Sequence, residues 1–134
     1  MPVTVNYSHS GHIVVMELID PWDMVELAAC FPIVGKFRDE QPFIVHNLMD
    51  MTQTKTVPPR MIHARQAPIF SHPRAGYMAV IGATLFLQAV TETIGQLTHF
   101  DRLRYFQTRA EGFAFLESMI AQEEEPPNSS STQE

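Results

Sequence analysis

The chain has 134 residues, 45% apolar and 18% charged, with a formal net charge of -6. That length suits one domain with a core of its own, and the acidic balance lacks the basic footprint of a nucleic-acid binder. The single cysteine, Cys30, excludes an intrachain disulfide framework, the opening MPVTVNYSHSGH is not a signal peptide, and no apolar run approaches the ~20 residues of a membrane span, so a cytoplasmic protein is expected.

In chain order, Val3, Val5 and Tyr7 alternate with polar residues, SHSG supplies a turn, and Ile13 to Ile19 is dense in β-branched residues. This pattern predicts a hairpin. Asp20-Pro21 reads as the start of a first helix, with Asp20 as cap, Pro21 in the first position and Asp23 complementing the dipole. Val25, Ala28, Ala29 and Phe31 follow at helical spacing. Pro32 is expected to kink or end that helix, leaving GKFRDEQP as a polar connection. Phe43 to Met49 is apolar on both parities, as a strand covered on both faces reads.

The loop NLMDMTQTKTVPPRMI comes next, and a second helix is expected from Pro58-Pro59 to about Phe70. SHPRAG is a turn, and Met78–Gly82 belongs to another central strand. From Thr84 the period turns helical, with Phe86, Val90, Ile94 and Leu97. LRYFQT is a short strand. Thr108 and Glu111 form a capping box that opens a last helix, with Ala110, Phe113, Leu116 and Ile120 as its buried stripe. Phe115 and Met119 lie off that stripe, so the helix is broad enough in apolar character to suggest an interface, and a homodimer is expected. Residues 1–122 read as a single domain. EEEPPNSSSTQE, 123–134, has no apolar residue and is expected to be a disordered acidic tail.

Strands alternating with helices imply parallel pairing by right-handed crossovers, with the hairpin adding one antiparallel edge. The expected fold class is therefore α/β: a five-stranded mixed sheet, an N-terminal hairpin followed by four β-α turns, flanked by four main helices. Phe43–Met49 and Met78–Gly82 are expected to be its central strands.

This order, together with Asp50, Pro58-Pro59, His72-Pro73-Arg74 and Thr108 before AEGFAFLE, resembles the SpoIIAA-like or STAS-like fold. The likeness is nearest to small bacterial STAS-like/SEC14-like proteins and spans about residues 3 to 121. It implies a non-enzymatic regulatory or protein-interaction module. In the anti-sigma-factor antagonists of that family, the loop after the third strand carries a phosphorylatable Ser or Thr beside an Asp. Asp50-Met51-Thr52 stands at the matching place, although no glycine follows and the loop is longer.

The loop is the leading candidate site on position as well. Ligands of open α/β sheets bind beyond the carboxyl ends of strands, and Asp50 ends one. Asp50, Thr52 and Thr54 are its expected polar contacts, and Arg60 a nearby charge. Asp and Thr are also ordinary turn and capping residues, so site and punctuation both stay open.

Other candidates are weaker. His9 and His12 flank the hairpin turn without the third ligand a zinc site needs. His46 reads as a buried, hydrogen-bonded residue, and Cys30 as a small hydrophobe. Gly82 alone is not a dinucleotide fingerprint, and no G-x-S-x-G element is present. No cofactor, no metal and no enzymatic activity are expected. Met51, Met61 and Ile62 near the loop suggest an apolar patch. The eight methionines and nine phenylalanines, with the SEC14-like side of the resemblance, suggest an alternative: a binder of a small apolar or acyl ligand. A large internal pocket would favour that alternative, and a solid core with an exposed apolar patch would favour the interaction module.

Overall fold

Val3–Ser8 (β1) and Ile13–Leu18 (β2) pair antiparallel around the His9–Gly11 turn in the computed structural model of the chain, in the register Val3 with Leu18 and Ser8 with Ile13. The structure describes residues 3–57, 60–67 and 70–124, the side chains of Ile62 and Glu124 excepted. Strands Val45–Asp50 (β3), Ala75–Ile81 (β4) and Leu103–Phe106 (β5) add in parallel, so the five strands lie in the order β1-β2-β3-β4-β5. The two strands expected to be central, β3 and β4, both have neighbours on each side.

Sequential parallel strands joined by right-handed crossovers put every connecting segment on one face of the sheet. Helix α1 (Met24–Asp39), a 3-10 segment (Met61–Gln66) and helix α2 (Leu85–Thr98) share that face, over a core that includes Met16, Leu18, Val45, Met78 and Val80. Helix α3 (Arg109–Glu124) follows the last strand and is bound by no crossover. It covers the opposite face, where Ile13, Val15, Leu48, Ala79, Ile81 and Leu116 form a second cluster.

Several expectations change. There are three α-helices among the described residues, not four. The second expected helix is the short 3-10 segment, because the prolines at 58, 59 and 68 leave a stretch below the ~12–15 residues a helix needs to hold itself. Helix α1 begins at Met24, not at Pro21. Asp23 is its N-cap, accepting from the Glu26 backbone N–H at 2.8 Å while the Glu26 side chain accepts from Asp23 N–H at 3.0 Å. Pro32 does not end it. The bond that proline removes falls on the exposed side, where Ala28 and Pro32 face solvent and the freed carbonyl is open to it. The helix thus runs through Gly35–Asp39, the first half of the expected polar connection, and Arg38 faces inward.

The expected stripes are rotated. On α2, Leu87, Thr91, Ile94 and Gly95 are buried, whereas Phe86 and Leu97 are exposed. On α3, Gly112 and Leu116 are buried and Ala110 is exposed. Phe115 packs inside the chain, its ring centroid 5.2 Å from Tyr77 and 5.5 Å from Phe106, so it no longer argues for an interface. The capping box is present, with Glu111 N–H donating to Thr108 Oγ1 and Thr108 N–H to Glu111, both at 3.2 Å. The helix continues through Glu124, the second residue of the expected tail. Residues 125–134 of that tail lie outside the described residues.

Candidate functional site

Parallel pairing sets Glu17 of β2 directly beside Asp50 of β3. Two carboxylates side by side repel, and α3 supplies the cation between them. Arg109, its first residue, donates from Nε to Asp50 Oδ2 at 2.6 Å and from Nη2 to Glu17 Oε2 at 3.3 Å. The other Asp50 oxygen accepts twice from Thr52, from its backbone N–H at 2.9 Å and its hydroxyl at 2.7 Å. Burial would raise the Asp50 carboxyl. The Thr52 and Arg109 bonds outweigh it and leave the pKa below its ordinary 3.8. Asp50 is thus a fixed anion with both oxygens occupied.

Of the residues expected in this loop, the structure brings Asp50 and Thr52 together, with Thr52 exposed. Thr54 is turned inward. Its buried hydroxyl donates to the Leu18 carbonyl at 2.7 Å and accepts from Trp22 Nε1 at 3.1 Å. Arg60 is exposed, in left-handed backbone at φ 64°, and is not the partner of Asp50. Met51 and Met61 lie in the core rather than in a surface patch. The remaining contacts tie the loop to its neighbours. Lys55 N–H donates to Asp20 at 2.7 Å, and Gly82, at φ +68°, lies so close to Thr52 that an added Cβ would stand 2.5 Å from its methyl.

Around this loop, the helices that follow β2 and β4 begin at the same edge of the sheet and expose apolar residues. Val25 is 78%, Leu85 84% and Phe86 68% exposed. Phe86 continues through Ala89, Thr93 and Leu97, all exposed and spaced three or four apart, as a single outward stripe of α2.

The histidines fall as expected where they were read as structural. His46 is fully buried. Its Nδ1 accepts from the Tyr77 N–H at 2.9 Å, which leaves the proton on Nε2 to face Glu123 at 3.1 Å. His9 faces Glu117 at 2.8 Å. No group of three metal-ligating side chains occurs among the described residues. Cys30 is buried, its thiol pKa raised by burial.

Sequence reasoning missed a second feature. Between the sheet and the segments on its first face lies an apolar cavity of about 70 Å³, against the roughly 10–15 Å³ one water needs. Met16, Met49, Met61 and Met78 line it, and so do Arg38 and Asn47. Arg38 has no exposed surface. Its Nη2 donates to the Val45 carbonyl at 2.9 Å and to Asn47 Oδ1, while its Nε has no partner among the described residues. Burial lowers its pKa to about 10, which still leaves it cationic near neutrality.

No family model, no curated protein and no solved structure matches the chain.

Proposed function

We propose that this chain is a non-enzymatic regulatory module of STAS-like type that recognises a protein surface, in the first instance a second copy of itself. The recognising face is the rim at the carboxyl ends of β2, β3 and β4, continued along the outer stripe of α2. One observation carries the reading: Val25, Leu85 and Phe86, all strongly exposed, open the helices that follow β2 and β4, on either side of the β3 loop that begins at the Asp50–Arg109 pair. Exposed large apolar side chains gathered around a fixed polar centre are the composition of a recognition surface. The sheet order supports the STAS-like resemblance, and no described helix is long and apolar enough to cross a membrane.

Thr52 gives this surface a way to be switched. The residue is exposed and its hydroxyl is bonded to Asp50, and a phosphate there would add about -1.5 to -2 charges beside that carboxylate and compete for Arg109. Sedimentation velocity from low to high micromolar concentration tests the reading. A concentration-dependent dimer is expected, abolished by Phe86→Glu and weakened by Thr52→Glu, with melting temperatures near wild type. A wild-type monomer throughout would overturn it.

A second reading, a binder of a small apolar or acyl ligand, is favoured by the methionine-lined cavity. It requires no competition with the first, since the cavity lies beneath the helices and the rim at the strand ends.

A further inference from the structure

We propose that the open edge of β5 binds an extended peptide as an added strand, antiparallel to β5, with a carboxylate side chain opposite Arg104 and basic side chains on either side of it. This goes beyond the self-recognition reading and uses a different surface.

The backbone supplies the template. β5 ends the sheet, with β4 on one side only. Its Phe106 carbonyl and that of Arg102 just before it accept from the Gly82 and Met78 N–H groups at 2.8 and 2.9 Å. Along a parallel strand the backbone groups of alternate residues turn to opposite neighbours, so Leu103 and Tyr105 turn theirs outward. Arg104 Nη1 donates to the Leu103 carbonyl on that side at 2.7 Å and to the Asp101 carbonyl at 3.1 Å. The Leu103 N–H and both backbone groups of Tyr105 have no partner among the described residues. Such a row of donors and acceptors is what strand addition uses.

The space and the charges fit a peptide of stated kind. Beside this edge, the flank of α2 leaves a cleft of about 480 Å³ at the start of β5 and one of about 300 Å³ at its end. Leu103 and Tyr105 lie on the α2 face of the sheet, and Arg104 lies on the α3 face, its guanidinium 5.2 Å from the Tyr77 ring centre. Among the described residues Arg104 pairs with no carboxylate, and Glu92 and Asp101, which line the larger cleft, pair with no cation. An added strand alternates its side chains in the same way. The residue opposite Arg104 meets the cation, and its neighbours turn toward the acidic cleft. The peptide carboxylate draws Arg104 off the Leu103 carbonyl, which then joins the ladder. A second copy fits badly. Pairing the Leu103 of one copy with the Tyr105 of another sets their Arg104 side chains directly opposite, where like charges repel.

Amide proton–nitrogen spectra of the full chain, titrated with the acetylated and amidated peptide Val-Lys-Glu-Lys-Val, test this. Saturable shifts are expected at Leu103, Arg104 and Tyr105. N-methylation of the two lysine amides, which face β5, is expected to weaken binding at least about tenfold, whereas N-methylation of the glutamate amide, which faces away, is expected to change it less than about twofold. Replacing the peptide glutamate with glutamine is expected to weaken binding about fivefold on the wild type and not at all on Arg104→Gln. Equal losses from the two N-methylations, or shifts confined to the outer face of α2, would overturn strand addition. A glutamate preference that survives Arg104→Gln would overturn the pairing with Arg104. Shifts at Leu103 and Tyr105 on changing the protein concentration without peptide would mean that a second copy takes the edge, and no shift at millimolar peptide would overturn the site. Should Arg104→Gln fail to fold, the N-methylated pair on the wild type decides.

Discussion

Arg109 reaches Asp50 from 59 residues away and donates to its carboxylate at 2.6 Å. Four positions earlier on the same face of β3, His46 meets Glu123, near the far end of α3, at 3.1 Å. The helix is therefore fastened to one strand at both ends, and the rim that carries Thr52 is held by the first of these fasteners.

The Asp50–Arg109 pair sets the acid limb of stability. A carboxyl whose pKa is depressed on folding stabilises the native state above its unfolded pKa, and that contribution is lost as the pH falls through the folded value. Asp50 is depressed, so the urea midpoint of the wild type is expected to fall below about pH 4. The fall is expected to be shallower in Arg109→Met. At neutral pH that substitution is expected to cost about 1–2 kcal/mol, at the low end for a charge-assisted bond because the guanidinium is partly exposed. Parallel acid limbs in the two proteins would remove Arg109 from this role.

His46 gives an earlier, separate window. Burial lowers its pKa below 6.5 against the opposing pull of Glu123. The folded state then binds fewer protons than the unfolded chain, and stability begins to fall as the pH drops below about 6.5. Ring nitrogen-15 shifts are expected to show an imidazole protonated on Nε2 only at neutral pH, and one that titrates below the ordinary histidine value. A ring that titrates above that value would contradict the buried, Tyr77-bonded geometry.

Two glycine-to-alanine substitutions should differ sharply. A Cβ on Gly76 would stand 2.2 Å from His46 Nδ1, a ring fixed by two hydrogen bonds, whereas on Gly112 it would meet the mobile end of Ile81 at 2.5 Å. Overpacking typically costs about 1–3 kcal/mol. Gly76→Ala is expected at or above the top of that range and Gly112→Ala near the bottom, as read by urea unfolding. Equal losses would mean that the His46 ring gives way freely.

The two threonines of the loop separate structure from recognition. Thr54→Val leaves the Trp22 indole N–H without its acceptor inside the core, and a loss of about 1–3 kcal/mol is expected. Thr52→Ala removes the hydroxyl bond to Asp50 at an exposed residue and keeps the backbone N–H bond to the same oxygen, and about 1 kcal/mol or less is expected. Thermal unfolding of the single variants checks both. A Thr52 loss as large as that of Thr54 would make the loop purely a structural turn.

The sheet was legible because its signals are local. Apolar runs in β3 and β4, turn residues after β1 and the Thr108–Glu111 box each declare themselves within a few positions. Asp50 and Thr52 were found because a strand end and its loop are adjacent in sequence. Arg109 was not, because its proximity to Asp50 depends on α3 crossing to the opposite face of the sheet. Arg38 was hidden by composition: within GKFRDEQP it reads as one more polar residue. A signal did exist. Leu27, Phe31, Val34 and Arg38 keep a spacing of three or four, so the inward face of α1 runs past Pro32 and ends on the arginine. Thr54 misled for the converse reason, since a threonine in a polar loop gives no hint that Trp22 waits for its oxygen.

The recognition face is the central claim, and a dilution series followed by amide proton–nitrogen correlation spectra tests it most directly. Concentration-dependent shifts are expected at Val25, at Thr52 to Thr56 and along α2 from Leu85 to Leu97, with α3 and β1 unmoved. Spectra identical at every concentration, or shifts confined to α3 or the β1 edge, would contradict it.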